Sequence, residues 1–312
     1  MSETTFNQRT ADLAAIWRDN RWLYLLAGFA LGLLALPAAQ MVNSETFALL
    51  TGLVPEAVGI TFTVLIVERL ARSRAERELK EQLIFELGSE DNSTARRALR
   101  LLKHRGWDKD GSLRGANLRE ADLTGAKMRG AELQGAILVN ASLKDAELVG
   151  ANLIGATLDN ANLEEADMGG TNLEMASLCR ANMHGASLLH SNLRGASMSM
   201  SILEKANLMF ANLQGTDLRE ANLASANMRQ VNLVGAQLLW ANLADTHLLW
   251  PKLDESTMLP YPLEIGTAEG DDTNYRTHWT PDTDMTRYTD PNHPDFWQPE
   301  WAKDRDGDEV ES

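Results

Sequence analysis

The chain contains only one cysteine, Cys179, in 312 residues. A single thiol rules out a disulfide within the chain, so packing and hydrogen bonds must hold the fold together. We expect this thiol to face outward as an ordinary surface group. Basic residues are also scarce, since 29 lysines and arginines stand against 44 aspartates and glutamates. The net charge of -15 disfavours nonspecific binding to nucleic acid, so we predict no nucleic-acid partner.

Enzyme and metal-site motifs are missing as well. The sequence has no phosphate-binding loop and no GxSxG, HExxH or CxxC pattern, and its six histidines are scattered. The acidic stretch at residues 304–309 has the first spacings of a calcium loop, but its glycine is out of place. We therefore predict a protein that is not an enzyme and that carries no cofactor and no metal.

Two long apolar runs lie near the N-terminus. Residues 22–42 carry no charge, and residues 46–67 carry only Glu56. Each run has the roughly 20 residues that a helix needs to cross a bilayer. We therefore predict a cytoplasmic segment at 1–21, transmembrane helices at 22–42 and 46–67, and the lipid bilayer as a partner. Arginine and lysine flank the outer ends of this pair and are absent between the helices, which places both termini on the cytoplasmic side of the plasma (inner) membrane.

Glu56 allows two interpretations. An ionisable residue within a membrane span is a functional candidate, which would make Glu56 a membrane site. Glu56 also follows Pro55, and proline followed by an acid is typical of a helix start. We favour the second interpretation, in which the second helix begins near Pro55 and Glu56 lies at shallow depth.

Residues 68–110 are predicted to form a cytoplasmic helical linker. Leu79, Leu83 and Leu87 recur every four residues, which is typical of a packed helix face or of a short coiled-coil seam. Gly88 is expected to end this helix.

A second short helix is predicted at residues 94–105. Ser93 has the side chain of a good N-cap, and Ala98, Leu101 and Leu102 would give the helix one apolar side. We expect this helix to cap the N-terminal end of the repeats that follow.

A five-residue pattern fills residues 111–260. Thirty central positions run from Leu113 to Met258 without an insertion; leucine occupies 24 of them and methionine six, and the residue two places before is usually alanine. Five residues advance about 500° on an α-helix, which would scatter the leucines around its axis. On a straight strand an odd period would alternate them between faces. The chain must therefore turn a corner in every repeat, with alanine and leucine both pointing inward.

The triplet ANL begins at residues 116, 151 and 161, and ADL begins at residue 121. This pattern resembles that of the pentapeptide-repeat family over nearly half of the chain, and Gly106-Trp107 before the first repeat resembles its membrane-anchored members with two N-terminal transmembrane helices. The resemblance implies an all-β solenoid, a right-handed quadrilateral β-helix with four repeats per coil. In this chain the transmembrane hairpin and a short helical cap would precede the β-helix.

Four repeats per coil would stack residues that are twenty apart on one side. On one such side the outward positions are unusually apolar, and two aromatic residues lie at the adjoining corner. We call this set the apolar stripe, and its residues are Val149, Leu189, Met209, Leu249, Phe210 and Trp250. A continuous exposed apolar area usually marks a contact surface. The stripe is therefore predicted to bind a protein partner or a second copy, although the tail could cover its end near Leu249 and Trp250.

Residues 261–312 form an acidic tail that leaves the five-residue pattern. The tail contains 14 acidic and four basic residues, yet it also contains aromatics such as Trp279, Trp297 and Trp301. So many aromatics are unusual in a disordered segment. We expect the tail to pack on or cap the end of the coil as far as about Trp301.

These features together predict a membrane-anchored scaffold that offers a β-helix surface to an unidentified protein. A homo-oligomer is a further alternative, because Gly28 and Gly32 have the spacing at which two transmembrane helices can pack closely. One alternative function is a DNA mimic that binds a topoisomerase, which the family resemblance implies. Another is membrane transport or sensing through the transmembrane hairpin and Glu56.

Overall fold

The structure is a computed structural model that describes residues 44–265, 274–278 and 283–303, with side chains from residue 62 to 261 and from 283 to 303. The chain divides into two compact units, Met1–Ala75 and Glu76–Ser312. The predicted segment at 1–21, the predicted helix at 22–42 and the acidic stretch at 304–309 lie outside the described residues.

Helix α1 spans Ser44–Leu87 and contains the second apolar run. The helix passes through Pro55, so the expectation that it begins near Pro55 is wrong. The side chain of Glu56 lies outside the described part. No helix among the described residues is both long and apolar enough to cross a membrane.

Helix α2 spans Asn92–His104, and its N-cap is Asp91 rather than the predicted Ser93. The Asp91 carboxylate accepts hydrogen bonds from the Thr94 backbone N–H at 2.9 Å, the Thr94 hydroxyl at 2.6 Å and the Ser93 hydroxyl at 2.7 Å. These bonds, those from Thr94 foremost, lower the pKa of Asp91 to about 2. Ser93 thus donates to the cap instead of forming it.

The buried side of α2 consists of Ala95, Ala98, Leu99 and Leu102. These positions have the three- and four-residue spacing of one helix face. Leu101, which we expected on that side, lies off this face and is 46% exposed. Among the leucines of α1, Leu83 and Leu87 are buried in the same core and Leu79 packs against it, so the leucine pattern of α1 marks a packed face.

Residues 111–259 form a four-sided right-handed coil. Parallel bridges join residues twenty apart, from Asn117↔Ile137 to Asn232↔Lys252, so one turn contains four repeats. From Gly115 to Trp250 the corner residue, two places after the centre, adopts a positive φ, and residues other than glycine do so at 52–63°. This left-handed conformation costs a residue with a side chain about 1–2 kcal/mol, which explains the frequent glycines at the corners.

The helical segment closes the N-terminal end of the coil with hydrogen bonds. In the first turn, the backbone N–H of Asp122 donates to Ser89 O at 2.9 Å, and the backbone N–H of Glu132 donates to Asp108 O at 2.9 Å. These donors would otherwise lie unpaired at the edge of a sheet, where another chain could pair with them.

The C-terminal end contains one extra residue. The bridge Gln237↔Met258 joins residues 21 apart, and Thr257 Oγ1 donates to Leu233 O at 3.0 Å. Thr257 and Leu259 are therefore the inward residues, each 1% exposed, and Met258 faces outward. The predictions of an unbroken repeat to residue 260 and of a central Met258 are wrong, because the turn before Thr257 takes up the additional residue.

Strand β1, Met258–Ile265, continues from this last coil and pairs antiparallel with β2, Asn274–His278. Two short helices follow, α3 at Thr286–Thr289 and α4 at Glu300–Lys303. Their buried residues are Tyr288 and Ala302.

Candidate partner-binding surface

The four sides of the coil differ in their outward residues. We number them by their first centres: side 1 begins at Leu113, side 2 at Leu118, side 3 at Leu123 and side 4 at Met128. Most sides carry polar residues that contact a neighbour in the next turn.

Side 1 shows this polar character best. Asn172, Asn192, Asn212 and Asn232 form a ladder in which the amides of the last three each donate to the asparagine one turn before, at 3.0–3.2 Å. Ion pairs accompany the ladder, among them Arg194 Nη1 to Glu174 Oε1 at 3.1 Å. Groups that already satisfy one another leave little unpaired polarity for a specific partner.

The apolar stripe lies on side 4 and at its corner, but it is not continuous. Val149, Leu189 and Met209 are half-buried, and Leu249 and Phe210 are each 42% exposed. Gly169 separates Val149 from Leu189, and Arg229 separates Met209 from Leu249. The stripe therefore consists of separate apolar areas.

The central area joins Leu189, His190, Met209 and Phe210, and we name it the Phe210 patch. The rings of His190 and Phe210 stack with centroids 4.7 Å apart and planes 6° apart. The backbone N–H of His190 donates to Met209 O at 3.1 Å, which fixes the two turns against each other. His190 was not expected in this surface, although its spacing of twenty from Phe210 could have placed it there.

The aromatic corners of the patch are rigid. His190 and Phe210 have φ values of 57° and 61°, so each residue holds a strained corner conformation within the backbone ladder. A rigid aromatic surface loses little conformational entropy when a partner binds, which suits a contact site.

The second area of the stripe, Leu249 and Trp250, lies at the last turn, where Trp250 is 75% exposed. The described part of the tail does not cover it. The tail packs instead against Trp240, where the rings of Trp240 and Trp297 lie 6.1 Å apart. The described part of the tail thus contacts Trp240 and leaves Leu249 and Trp250 exposed.

Tyr261 and Tyr288 complete the packing of the tail. The Tyr261 ring stacks on Trp297 at 5.2 Å, and the Tyr288 hydroxyl donates to Tyr261 O at 2.9 Å. Burial raises the pKa of Tyr288 to about 12. In the described part of the tail, Tyr261, Tyr288 and Trp297 therefore form one aromatic cluster with Trp240 of the coil.

Cys179 lies on side 2 and is half-buried rather than fully outward. Its Sγ is 3.0 Å from Ser197 Oγ and 3.4 Å from Ser199 Oγ. Within the described ranges, no group of three histidine, cysteine, aspartate or glutamate side chains is arranged to hold a metal ion.

Comparison with known proteins agrees with this architecture. The family model for pentapeptide repeats matches the chain with eight copies. The matched segments overlap, at residues 112–145, 136–174, 146–185, 161–199, 172–209 and 211–248, and together they cover residues 112–209 and 211–248. No curated protein matches the chain.

Several solved structures are similar to the chain. A pentapeptide repeat protein from the Arabidopsis thaliana thylakoid lumen is 28% identical over 30% of this chain and 64% of its own, with a TM-score of 0.29. Rfr23 from the cyanobacterium Cyanothece 51142 is 38% identical over 31% of this chain and 62% of its own, with a TM-score of 0.20. The chain thus spans less than two thirds of either relative.

HetL from the cyanobacterium Nostoc sp. strain PCC 7120 is a pentapeptide repeat protein involved in heterocyst differentiation regulation. It is 26% identical over 51% of this chain and 95% of its own, with a TM-score of 0.18. The five-residue pattern, the four-sided coil and the family match agree with one another: residues 112–209 and 211–248, somewhat less than half of the chain, match the pentapeptide-repeat family model.

Proposed function

We propose that this protein is a non-enzymatic scaffold whose β-helix binds a partner protein through the Phe210 patch. The observation that carries the proposal is the stacked His190–Phe210 pair beside Leu189 and Met209, which together form an apolar area on side 4. Aromatic residues and methionine are enriched in the centres of protein interfaces. The leucine and alanine interior of the coil is filled, so it offers no room for a substrate.

We further propose that the scaffold is anchored to the plasma (inner) membrane, with both termini in the cytoplasm. Support comes from the two apolar runs and from the part of α1 that belongs to the first unit. There Phe62, Val64 and Val67 are 63%, 49% and 57% exposed. Apolar side chains on a helix surface need an apolar environment. Glu56 remains a candidate membrane site within this proposal.

The partner surface is tested by crosslinking and purification of the full-length protein from its native membrane. Replacing Met209 and Phe210 together by serine should reduce capture of a specific partner by about tenfold or more, since central apolar contacts dominate binding energy. Replacing Ile154 and Met175 by serine is the matched control, because these are exposed apolar residues of side 1, 36% and 67% exposed. Equal capture by the two variants would reject the patch.

Membrane anchoring is tested separately by extraction of the native membranes with alkaline carbonate. We expect the full chain to stay in the membrane pellet and to leave it only with detergent. Release by carbonate alone would rule out the anchor and would leave the binding role of the coil untouched.

A further inference from the structure

A cleft of about 250 Å³ lies between helix α4 and the coil, at the corner that joins sides 2 and 3. Its apolar walls come from Met200, Ile202 and Trp301, and its polar walls come from Ser201, Glu220 and Asn222. The cleft lies apart from the Phe210 patch, which is on side 4. It exists only because the tail returns along the coil.

Glu220 is the only charged residue among those that line the cleft. The adjacent Arg219 directs both its Nε and its Nη2 to the Asp217 carboxylate, at 2.8 and 2.7 Å. Within the described residues Glu220 forms no ion pair, with Arg219 or with another cation. The cleft therefore has one carboxylate without a direct cationic partner among its lining residues.

Trp301 is the residue of α4 that lines the cleft. Pro299 and Ala302 beside it are buried. The indole Nε1 is buried and has no hydrogen-bond partner among the described residues. An aromatic ring and a carboxylate that line one cleft can both contact a cation whose stem is apolar.

We propose that this cleft binds the side chain of an arginine from a partner protein. The aliphatic stem would lie along Met200 and Ile202, and the guanidinium would stack on Trp301 while donating to Glu220. Arginine fits better than lysine because its planar group can stack on an aromatic ring and pair with a carboxylate in the same contact.

The test uses the ¹⁵N-labelled full-length protein and a blocked Gly-Gly-Arg-Gly-Gly peptide. The Trp301 indole signal is identified by its loss in Trp301→Phe, and its shift is followed as the peptide is added. A peptide with citrulline in place of arginine keeps the shape without the charge. We expect the arginine peptide to bind about tenfold more tightly, since an ion pair and a cation–π contact are lost together.

Glu220→Gln should remove most of this preference for arginine. Its matched control is Glu120→Gln, a corner glutamate with the same φ of 58° five turns earlier on the same ridge. Equal affinities for the two peptides, or equal effects of the two glutamine variants, would overturn the proposal. A double Met209, Phe210 serine variant should bind the peptide normally, so this result does not depend on the partner surface of side 4.

Discussion

The two ends of the coil are closed by different chemistry. At the N-terminal end, aliphatic side chains of α1 and α2 bury the first turn, and carbonyls of Ser89 and Asp108 accept from its free N–H groups. At the C-terminal end, strand β1 pairs with the last turn and a cluster of aromatic rings packs beside it. A stack of similar repeats cannot end by repeating itself, so each end needs a segment with a different pattern.

The difference matters because each turn contacts only its neighbours. The stability of such a stack is close to a sum of local terms, so the two ends can open independently. The N-terminal closure depends on buried aliphatic volume and on one charged cap. The C-terminal closure depends on the shifted register, in which Thr257 donates to Leu233 O, and on the neutral phenol of Tyr288. Each dependence can be disrupted separately.

The largest effect is expected from Leu102→Ala in α2. Leu102 is fully buried, and removing its side chain leaves a cavity that costs about 2–5 kcal/mol. Hydrogen exchange measured by mass spectrometry should show faster exchange in the first turns and unchanged exchange at the tail. Leu101→Ala, at an exposed position of the same helix, is the control and should change little. Equal loss of protection at both ends would contradict independent closure.

A somewhat smaller effect is expected from Thr257→Val in the last turn. Thr257 is buried, and its hydroxyl donates to Leu233 O at 3.0 Å. The valine removes this bond from a buried site, at a cost of about 1 kcal/mol. Protease digestion should then remove the tail more quickly. Thr216→Val is the matched control, because it removes the same kind of bond, to Leu193 O at 2.9 Å, in the middle of the coil. Equally fast loss of the tail from both variants would contradict a local effect at the C-terminal end.

The limits of prediction follow from the same residues. The coil was predictable because one pattern repeats every five residues from Leu113 to Leu253, and the family match agrees with it. The register shift was not, since Met258 and Leu259 are both apolar and either could serve as a centre. Only the position of Thr257 and its acceptor distinguishes them. The contact between Phe210 and His190 was predictable, because the two residues are twenty apart and therefore lie one above the other in the coil. The position of Trp301 was not, because it depends on how the tail folds back along the coil, and the tail lies outside the repeat.

A third effect concerns alkaline pH at the C-terminal end. The pKa of Tyr288 is raised to about 12 from an ordinary value of 10.0, because its phenol is buried. The neutral phenol therefore stabilises the fold fully below pH 10, and this stabilisation is lost as the pH rises towards 12. In an absorbance titration, the wild-type should show one late phenolate that Tyr288→Phe lacks. A wild-type protein whose four tyrosines all titrate together near pH 10 would contradict this assignment.

The smallest effect concerns acid pH at the N-terminal end. The pKa of Asp91 is lowered to about 2 from 3.8, chiefly by the hydroxyl of Thr94 and then by that of Ser93. Its carboxylate therefore stabilises the cap above pH 3.8, and this contribution is lost as the pH falls towards 2. Between those pH values, exchange of the α2 amides should quicken in the wild-type and stay nearly constant in Asp91→Asn. Asp145→Asn, at an exposed corner away from α2, is the control and should behave like the wild-type. If the wild-type and Asp91→Asn responded equally to pH, the cap would not depend on the charge of Asp91.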